Sequence, residues 1–243
     1  MAVSWEDQGI VVAVRPFGEH DAILTLLSEE QGRHAGIVKG GAGKNARGLL
    51  QPGNLVKAWW RARLDEQLGT FTLELSRPFA ASAMVEAASL AGLASLCSMI
   101  DATLPEREAH GAVFRHTLHL LENLGADGWE AEYVHWELAL LRDMGYGLDL
   151  SSCAATGTTE DLAYVSPRSG RAVSRAAGLP YGPRLFALPA FLRDENVRPD
   201  GPGEIAQGLA LTEYFFDTHV FRPHRQQIPG PRQRFAARFS AIG

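Results

Sequence analysis

Seven basic side chains lie within residues 31–64 of this sequence, and no Asp or Glu interrupts them. Protein surfaces ordinarily mix both signs of charge, so a long run of one sign indicates a candidate surface for an anionic ligand. Lysine and arginine bind phosphates by charge, and they release the counterions of a nucleic acid as they do so. The seven residues are Arg33, Lys39, Lys44, Arg47, Lys57, Arg61 and Arg63.

The second half of this stretch has the alternation of a β-strand. In residues 55–64 one face is apolar, and the other carries Lys57, Trp59, Arg61 and Arg63. An aromatic ring beside cations is an arrangement that binds single-stranded nucleic acid, because rings stack on bases while charges follow the phosphates. The alternative is a solubilising face on which Trp59 is simply packed.

The elements that position these residues are short strands separated by glycine-rich turns. Alternating or apolar segments that predict strands occur five times before residue 80, and residues 40–48 read as a flexible loop. Five short strands predict a small closed barrel of the OB-fold type. The predicted strands cover residues 10–14, 22–27, 34–38, 55–64 and 70–76.

The pattern changes to helical spacing after residue 80. Apolar residues recur every three or four positions in four later segments, and glycine and proline interrupt the region of about 148–202. The sequence therefore predicts an α+β protein with a barrel domain, a helical domain that contains a loop-rich insert, and a basic mobile tail. The predicted domains are residues 1–80, 81–228 and 229–243, and the predicted helices are residues 81–100, 105–124, 129–144 and 204–221.

Composition limits the location and chemistry of the protein. No apolar run reaches the roughly 18 residues that a membrane span needs, and the first residues lack the pattern of a signal peptide. We therefore expect a cytoplasmic protein, associated with the nucleoid if it binds DNA. Two distant cysteines, Cys97 and Cys153, indicate buried thiols rather than a disulfide framework.

Candidate catalytic motifs are weak throughout the sequence. The Gly40–Lys44 segment lacks the first glycine and the Ser or Thr of a phosphate-binding Walker loop. His116 and His119 share a predicted helix, but no accompanying glutamate makes a metalloprotease motif. The sequence therefore predicts a binding protein that is not an enzyme and that needs no cofactor or metal.

Several ordered motifs resemble the RecO family of bacterial DNA repair proteins. Residues 9–21 (GIVVAVRPFGEHD), 25–40 and 50–53 resemble the family's N-terminal signature. Residues 137–153 resemble its central helix and the turn that follows. The matching segments span nearly the whole chain, and their order makes the set specific although each piece alone is weak.

The resemblance implies an N-terminal OB-fold, a helical C-terminal domain and a non-enzymatic role as a recombination mediator. Such a protein binds and anneals single strands, and it helps the recombinase load onto DNA covered by single-stranded DNA-binding protein. The implied partners are single-stranded DNA, RecR and the acidic C-terminal tail of single-stranded DNA-binding protein. Carried over by position, the implied DNA contacts are Arg33, Lys39, Lys44 and Arg47.

Two departures from the family pattern concern metal and partner binding. Many members carry a four-cysteine zinc module, but here only Cys153 remains, with Thr156 at the second position and Ser174 and Ala177 near the later pair. One thiolate does not make a tetrahedral zinc site, so we expect no metal.

The partner tail is bound in the family beside an apolar block of the central helix. The corresponding residues here are His135, Trp136 and Arg142, and histidine is a weaker, pH-dependent cation. The alternative is that Trp136 belongs to the core.

The sequence is also compatible with a second function. The chain could be a helical protein-interaction adaptor whose β-domain binds protein rather than DNA. The salt dependence of binding to an oligonucleotide discriminates between the two functions.

Overall fold

The computed structural model describes residues 3–194 and 196–240, except for the side chain of Asn45. The chain divides into two compact units, Met1–Gly125 and Ala126–Gly243. Within the described residues, no helix is long and apolar enough to cross a membrane.

The first unit contains a closed five-stranded barrel, which confirms the predicted fold class for the described residues. Its strands follow the order β1-β2-β3-β5-β4, and β4 returns to pair with β1. Neighbouring strands are antiparallel except β3 and β5, which are parallel at Val38↔Phe71. The strands are β1 (Val3–Phe17), β2 (Asp21–Ser28), β3 (Gly32–Val38), β4 (Leu55–Ala62) and β5 (Thr70–Arg77).

Three helices cover part of the barrel's outer surface within this unit. They are α1 (Phe79–Ala83), α2 (Ala87–Thr103) and α3 (Gly111–Asn123). Helix α2 packs on β1, where Cys97 is fully buried with its Sγ 3.8 Å from the Val11 carbonyl oxygen. The first compact unit therefore runs past residue 80 and includes these helices.

The barrel interior holds a buried histidine among aromatic rings. His34 is 3% exposed, and its ring lies edge-on to Trp60 and Trp5 at centroid distances of 4.7 and 5.1 Å. Neither ring nitrogen has a hydrogen-bond partner among the described residues. Burial, with the charge of Arg107 as a second cause, lowers the pKa of His34 to about 4.

The second unit is a helical layer joined to a small sheet. Helix α4 (Trp129–Asp143) contacts helix α6 (Pro202–Phe216), and the region predicted as irregular contains a three-stranded sheet of order β7-β6-β8. These strands are β6 (Leu162–Val165), β7 (Ala172–Ser174) and β8 (Phe186–Ala187), and a short helix, α5 (Arg175–Gly178), follows β7.

The predicted mobile tail is wrong for residues 230–240. These residues form helix α7 (Gly230–Ser240), and residues 241–243 of the predicted tail lie outside the described residues. Phe235 is fully buried against Tyr133 and Trp129 of α4, with centroid distances of 4.6 and 5.7 Å. The burial of this ring stabilises the helix although its sequence is rich in glycine, proline and arginine.

A buried ion pair also holds α7 in place. Arg232 is 1% exposed, and its Nε and Nη2 donate to the two carboxylate oxygens of Glu137 at 2.5 and 3.0 Å. Arg232 also donates to the Leu209 carbonyl oxygen, and the Thr212 hydroxyl donates to Glu137. Burial opposes the charge of Arg232, but Glu137 outweighs it and raises the pKa of the guanidinium.

His34 is expected to make the fold sensitive to acid. Because its pKa is about 4 in the folded protein and near 6.5 when exposed, its contribution to stability is complete above pH 6.5 and is lost as the pH falls towards 4. We expect the free energy of unfolding of the native protein to fall by about 3 kcal/mol more than that of His34→Leu across this window. Urea unfolding at a series of pH values measures this difference, and parallel pH profiles would contradict the assignment.

Removal of Arg232 is expected to cost much more stability than removal of an exposed arginine of the same helix. Arg232→Met leaves the Glu137 carboxylate buried without its cation, which costs about 3–5 kcal/mol. The matched control is Arg234→Met, since Arg234 is exposed on α7 and should change stability by less than about 0.5 kcal/mol. Chemical unfolding measures both, and equal losses would show that Arg232 does not anchor the helix.

Candidate nucleic-acid interface

Strand β4 has the two faces that its alternation predicts over residues 56–61, whereas Leu55 is buried and Leu64 is exposed, contrary to the pattern. Val56, Ala58 and Trp60 are buried in the barrel, whereas Arg61 is exposed and Lys57 and Trp59 are partly exposed. The outward residues therefore lie in one row on the surface.

Neighbouring strands bring carboxylates onto this outward face. Lys57 lies opposite Glu74 of β5, and Trp59 lies opposite Glu6 of β1. Cross-strand neighbours on one face are close enough to interact. The surface that the sequence presents as purely basic therefore carries both signs of charge.

Glu6 engages both Lys57 and Trp59. Its carboxylate lies 2.6 Å from Lys57 Nζ and accepts a hydrogen bond from Trp59 Nε1 at 2.7 Å. The Lys57 ammonium also lies 4.9 Å from the centroid of the Trp59 ring. Hydrogen bonds from Lys57 first and Trp59 second lower the pKa of Glu6, and Glu6 raises the pKa of Lys57.

Lys39 lies at the end of β3 and is paired with Asp21. Its Nζ is 2.8 Å from Asp21 Oδ2, and the other carboxylate oxygen accepts the Gly40 N–H at 2.9 Å. The Lys39 side chain is nevertheless 71% exposed. The hydrogen bond from Lys39, followed by that from Gly40, lowers the pKa of Asp21.

The guanidinium of Arg33 makes its contacts within the protein. Its guanidinium donates to the Leu104 carbonyl oxygen at 2.8 Å and to Asp101 at 3.0 Å, and it lies 3.5 Å from Glu106. Its side chain is only 17% exposed. These contacts tie β3 to α2 and the segment that follows it.

Lys44 and Arg47 project from the loop between β3 and β4. The structure gives this loop a defined course, because a one-turn 3-10 helix (Lys44–Ala46) follows turns closed by Gly41 N–H to Val38 and Gly43 N–H to Gly40. Lys44 and Arg47 are exposed. Neither forms an ion pair with any residue that the structure describes.

Arg61 and Arg63 lie at the end of β4, where the chain enters the loop to β5. Both are exposed, and the described parts of the chain provide no carboxylate partner for either. The indole N–H of Trp60 donates to the Leu68 carbonyl oxygen at 3.0 Å and fixes this loop. Gly69 is required beside it, because its φ is +64° and a Cβ there would lie 2.4 Å from the Trp60 ring.

Sequence reasoning did not include Arg15 in the site because it precedes the acid-free stretch. Arg15 is exposed near the end of β1 and has no ion pair with the described residues. Arg15 follows Val14, which packs against the barrel core, so strand alternation places Arg15 outward. Five exposed cations in this unit are thus unpaired within residues 3–194 and 196–240: Arg15, Lys44, Arg47, Arg61 and Arg63.

Two models of one protein family match the chain. The model described as Recombination protein O N terminal matches residues 1–79, and the one described as Recombination protein O C terminal matches residues 86–228. The chain belongs to the RecO family. This membership confirms the resemblance inferred from the sequence motifs.

Several proteins named DNA repair protein RecO are similar to the chain along most of their length. The protein of Rhodospirillum centenum is 49% identical over 98% of this chain and 95% of its own length. The protein of Rhodospirillum rubrum is 46% identical over 97% of this chain and 96% of its own length. The protein of a Jannaschia species is 46% identical over 96% of this chain and 94% of its own length.

Hydrogen bonds hold Cys153, the one cysteine present of the zinc module that the resemblance implied. Cys153 Sγ accepts the Ser174 N–H at 3.2 Å and lies 3.5 Å from Ser174 Oγ. Burial raises the pKa of the Cys153 thiol, but hydrogen bonds from Ser174, Thr156 and backbone amides outweigh it and lower the pKa to about 6. Within the described residues, no group of three or more His, Cys, Asp and Glu side chains could hold a metal ion.

The three residues predicted to bind the partner tail have different environments on α4. They are His135, Trp136 and Arg142. Trp136 is 3% exposed and lies 5.6 Å from the Tyr133 ring, so it belongs to the core. His135 is half-buried with its ring edge-on to Phe191 at 5.7 Å. Arg142 is exposed in the last helical turn.

The contact between Glu6 and Lys57 is expected to be measurable in solution. Lys57→Gln should raise the pKa of Glu6 towards the ordinary value of 4.5, because the hydrogen bond from Lys57 is the main cause of its depression. Trp59→Phe should raise it less, since its hydrogen bond is the second cause. Carbon-detected NMR titration of the glutamate carboxyls measures these values. A Glu6 that titrates at its ordinary value in the native protein would refute the contact.

Proposed function

We propose that this protein binds single-stranded DNA through the barrel and acts as a non-enzymatic recombination mediator in DNA repair. The observation that carries the proposal is the set of exposed cations that no described carboxylate neutralises. Such cations release bound counterions when they meet phosphates, which favours association. The barrel class is one that binds oligonucleotides on its outer face and connecting loops.

The residues of the basic stretch divide into three groups on physical grounds. We assign direct phosphate contacts to Lys44, Arg47, Arg61 and Arg63, whose charges are exposed and unpaired among the described residues. We assign Arg33 a positioning role, because its guanidinium is mostly buried and has acceptors within the protein.

Lys39 and Lys57 form the third group. Their ion pairs with Asp21 and Glu6 are in contact with solvent, and water and salt screen such pairs and make them weak. Phosphates can therefore replace these carboxylates at little cost. Trp59 adds a half-exposed ring beside Lys57, although one side of that ring faces the ammonium.

The mediator role rests on family membership. We propose that the protein anneals complementary strands and assists recombinase loading onto DNA covered by single-stranded DNA-binding protein. Its proposed partners are RecR and the acidic C-terminal tail of that protein. Two residues of α4 support tail binding, the exposed Arg142 and the half-buried His135, whereas the burial of Trp136 argues against a direct contact.

A protein-binding adaptor is the second candidate function, and one observation favours it. Met84 and Val85, between α1 and α2, are 55% and 88% exposed, and apolar side chains as exposed as these are often found at interfaces. This region and the barrel cations involve different residues of the unit, so variants can separate the two functions.

The salt dependence of oligonucleotide binding tests the proposal. We expect the affinity for a labelled single strand to fall as salt rises, because each phosphate contact contributes a slope of about −0.7 to a plot of log K against log salt. Lys44→Ala with Arg47→Ala removes two contacts, and it should therefore make the slope shallower by about 1.4. Fluorescence anisotropy over a series of salt concentrations measures both slopes.

The matched control removes the same charge from paired arginines of the same unit. Arg77 and Arg115 pair with Glu122 and Glu29, so the double alanine variant at these positions should keep the native slope. A native slope near zero, or equal slopes in both double variants, would overturn DNA binding by these residues. Annealing of complementary strands without nucleotide or metal is expected, and a strict requirement for either would contradict the non-enzymatic role.

A further inference from the structure

Among the phenylalanine, tyrosine and tryptophan residues described in the first unit, Phe17 has the most exposed ring. It is the last residue of β1, and its side chain is 44% exposed. An exposed phenyl ring near cations has the composition of a base-stacking site, in which the ring meets a base and the cations meet the phosphates.

Exposed cations flank this ring. Arg15 and Phe17 are two residues apart on β1, so their side chains point to the same side of the strand and their Cα atoms lie about 7 Å apart. Arg15 is exposed and has no carboxylate partner in the described chain.

On the other side, Phe17 is directly opposite Asp21, the residue that holds the ammonium of Lys39. The Ala42 N–H donates to the His20 carbonyl oxygen at 3.0 Å, so the loop that carries Lys44 is joined to the turn after Phe17. Phe17 therefore lies between Arg15 on its own strand and the Asp21–Lys39 pair beside it.

The ring of Phe17 is also more available than that of Trp59. Trp59 is hydrogen-bonded to Glu6, and the Lys57 ammonium lies over its ring. No described aromatic ring or cation packs on Phe17. A base can approach Phe17 without displacing a protein group, whereas stacking on the covered side of Trp59 would have to displace Lys57.

We propose that Phe17 is the base-stacking residue of the DNA-binding surface and that it makes the protein prefer single strands. This inference rests on the proposed function. A base of a single strand stacks on the phenyl ring while its flanking phosphates contact Arg15 and Lys39. Bases in a duplex are already stacked and paired, so they cannot lie on this ring, although duplex phosphates still reach the cations.

The experiment compares Phe17→Leu and Phe17→Trp with the native protein. Leucine keeps an apolar side chain but has no aromatic face, whereas tryptophan keeps the face. Loss of one stacked base should lower the affinity for an oligothymidine roughly 5- to 150-fold in Phe17→Leu, and Phe17→Trp should retain native affinity. The slope of affinity against salt should stay native in both, because stacking releases no counterions.

A duplex of the same length separates stacking from a structural effect. Phe17→Leu should bind the duplex with native affinity, and its unfolding midpoint should stay close to native because leucine keeps an apolar side chain at this half-exposed position. If its affinity for both DNA forms fell equally, or if its single-strand affinity stayed native while the native protein kept its salt dependence, the role of Phe17 would be refuted. If the native protein bound neither form in a salt-dependent manner, the proposed function itself would fail.

Discussion

Closure of the barrel depends on one long strand that serves two neighbours. Residues 3–10 of β1 pair with β4 and residues 9–17 pair with β2, and a register shift between Val11 and Ala13 interrupts the second pairing. Such an irregularity bends and twists a strand, which allows the sheet to close on itself. These two pairings place Glu6 opposite Trp59 and Phe17 opposite Asp21.

The sequence was sufficient to predict the faces of single strands but not the neighbours of those strands. Alternation in residues 55–64 correctly separated the buried Trp60 from the outward Lys57 and Arg61, because side-chain direction is a local property. The carboxylates that pair with the cations are not local: Glu6 is 51 positions from Lys57, and Asp101 is 68 positions from Arg33. A charge run in sequence therefore overstated the charge of the surface.

Elements whose stability comes from distant contacts were missed for the same reason. Residues 230–240 have the composition of a mobile segment, yet Arg232 meets Glu137, 95 positions away, and Phe235 meets Tyr133. The small sheet within residues 148–202 has strands of two to four residues, which are too short for periodicity to reveal. In contrast, α4 is long and strongly patterned, and the prediction of residues 129–144 agrees with Trp129–Asp143.

The anchoring of α7 changes how the end of this chain should be treated in protein engineering. A truncation before Gly230 would remove the guanidinium that compensates Glu137 and uncover the rings of Trp129 and Tyr133. The shortened protein would expose an apolar surface next to the unpaired Glu137 carboxylate, and this combination favours aggregation. Loss of DNA binding in such a truncation would therefore reflect a damaged core rather than a missing basic arm.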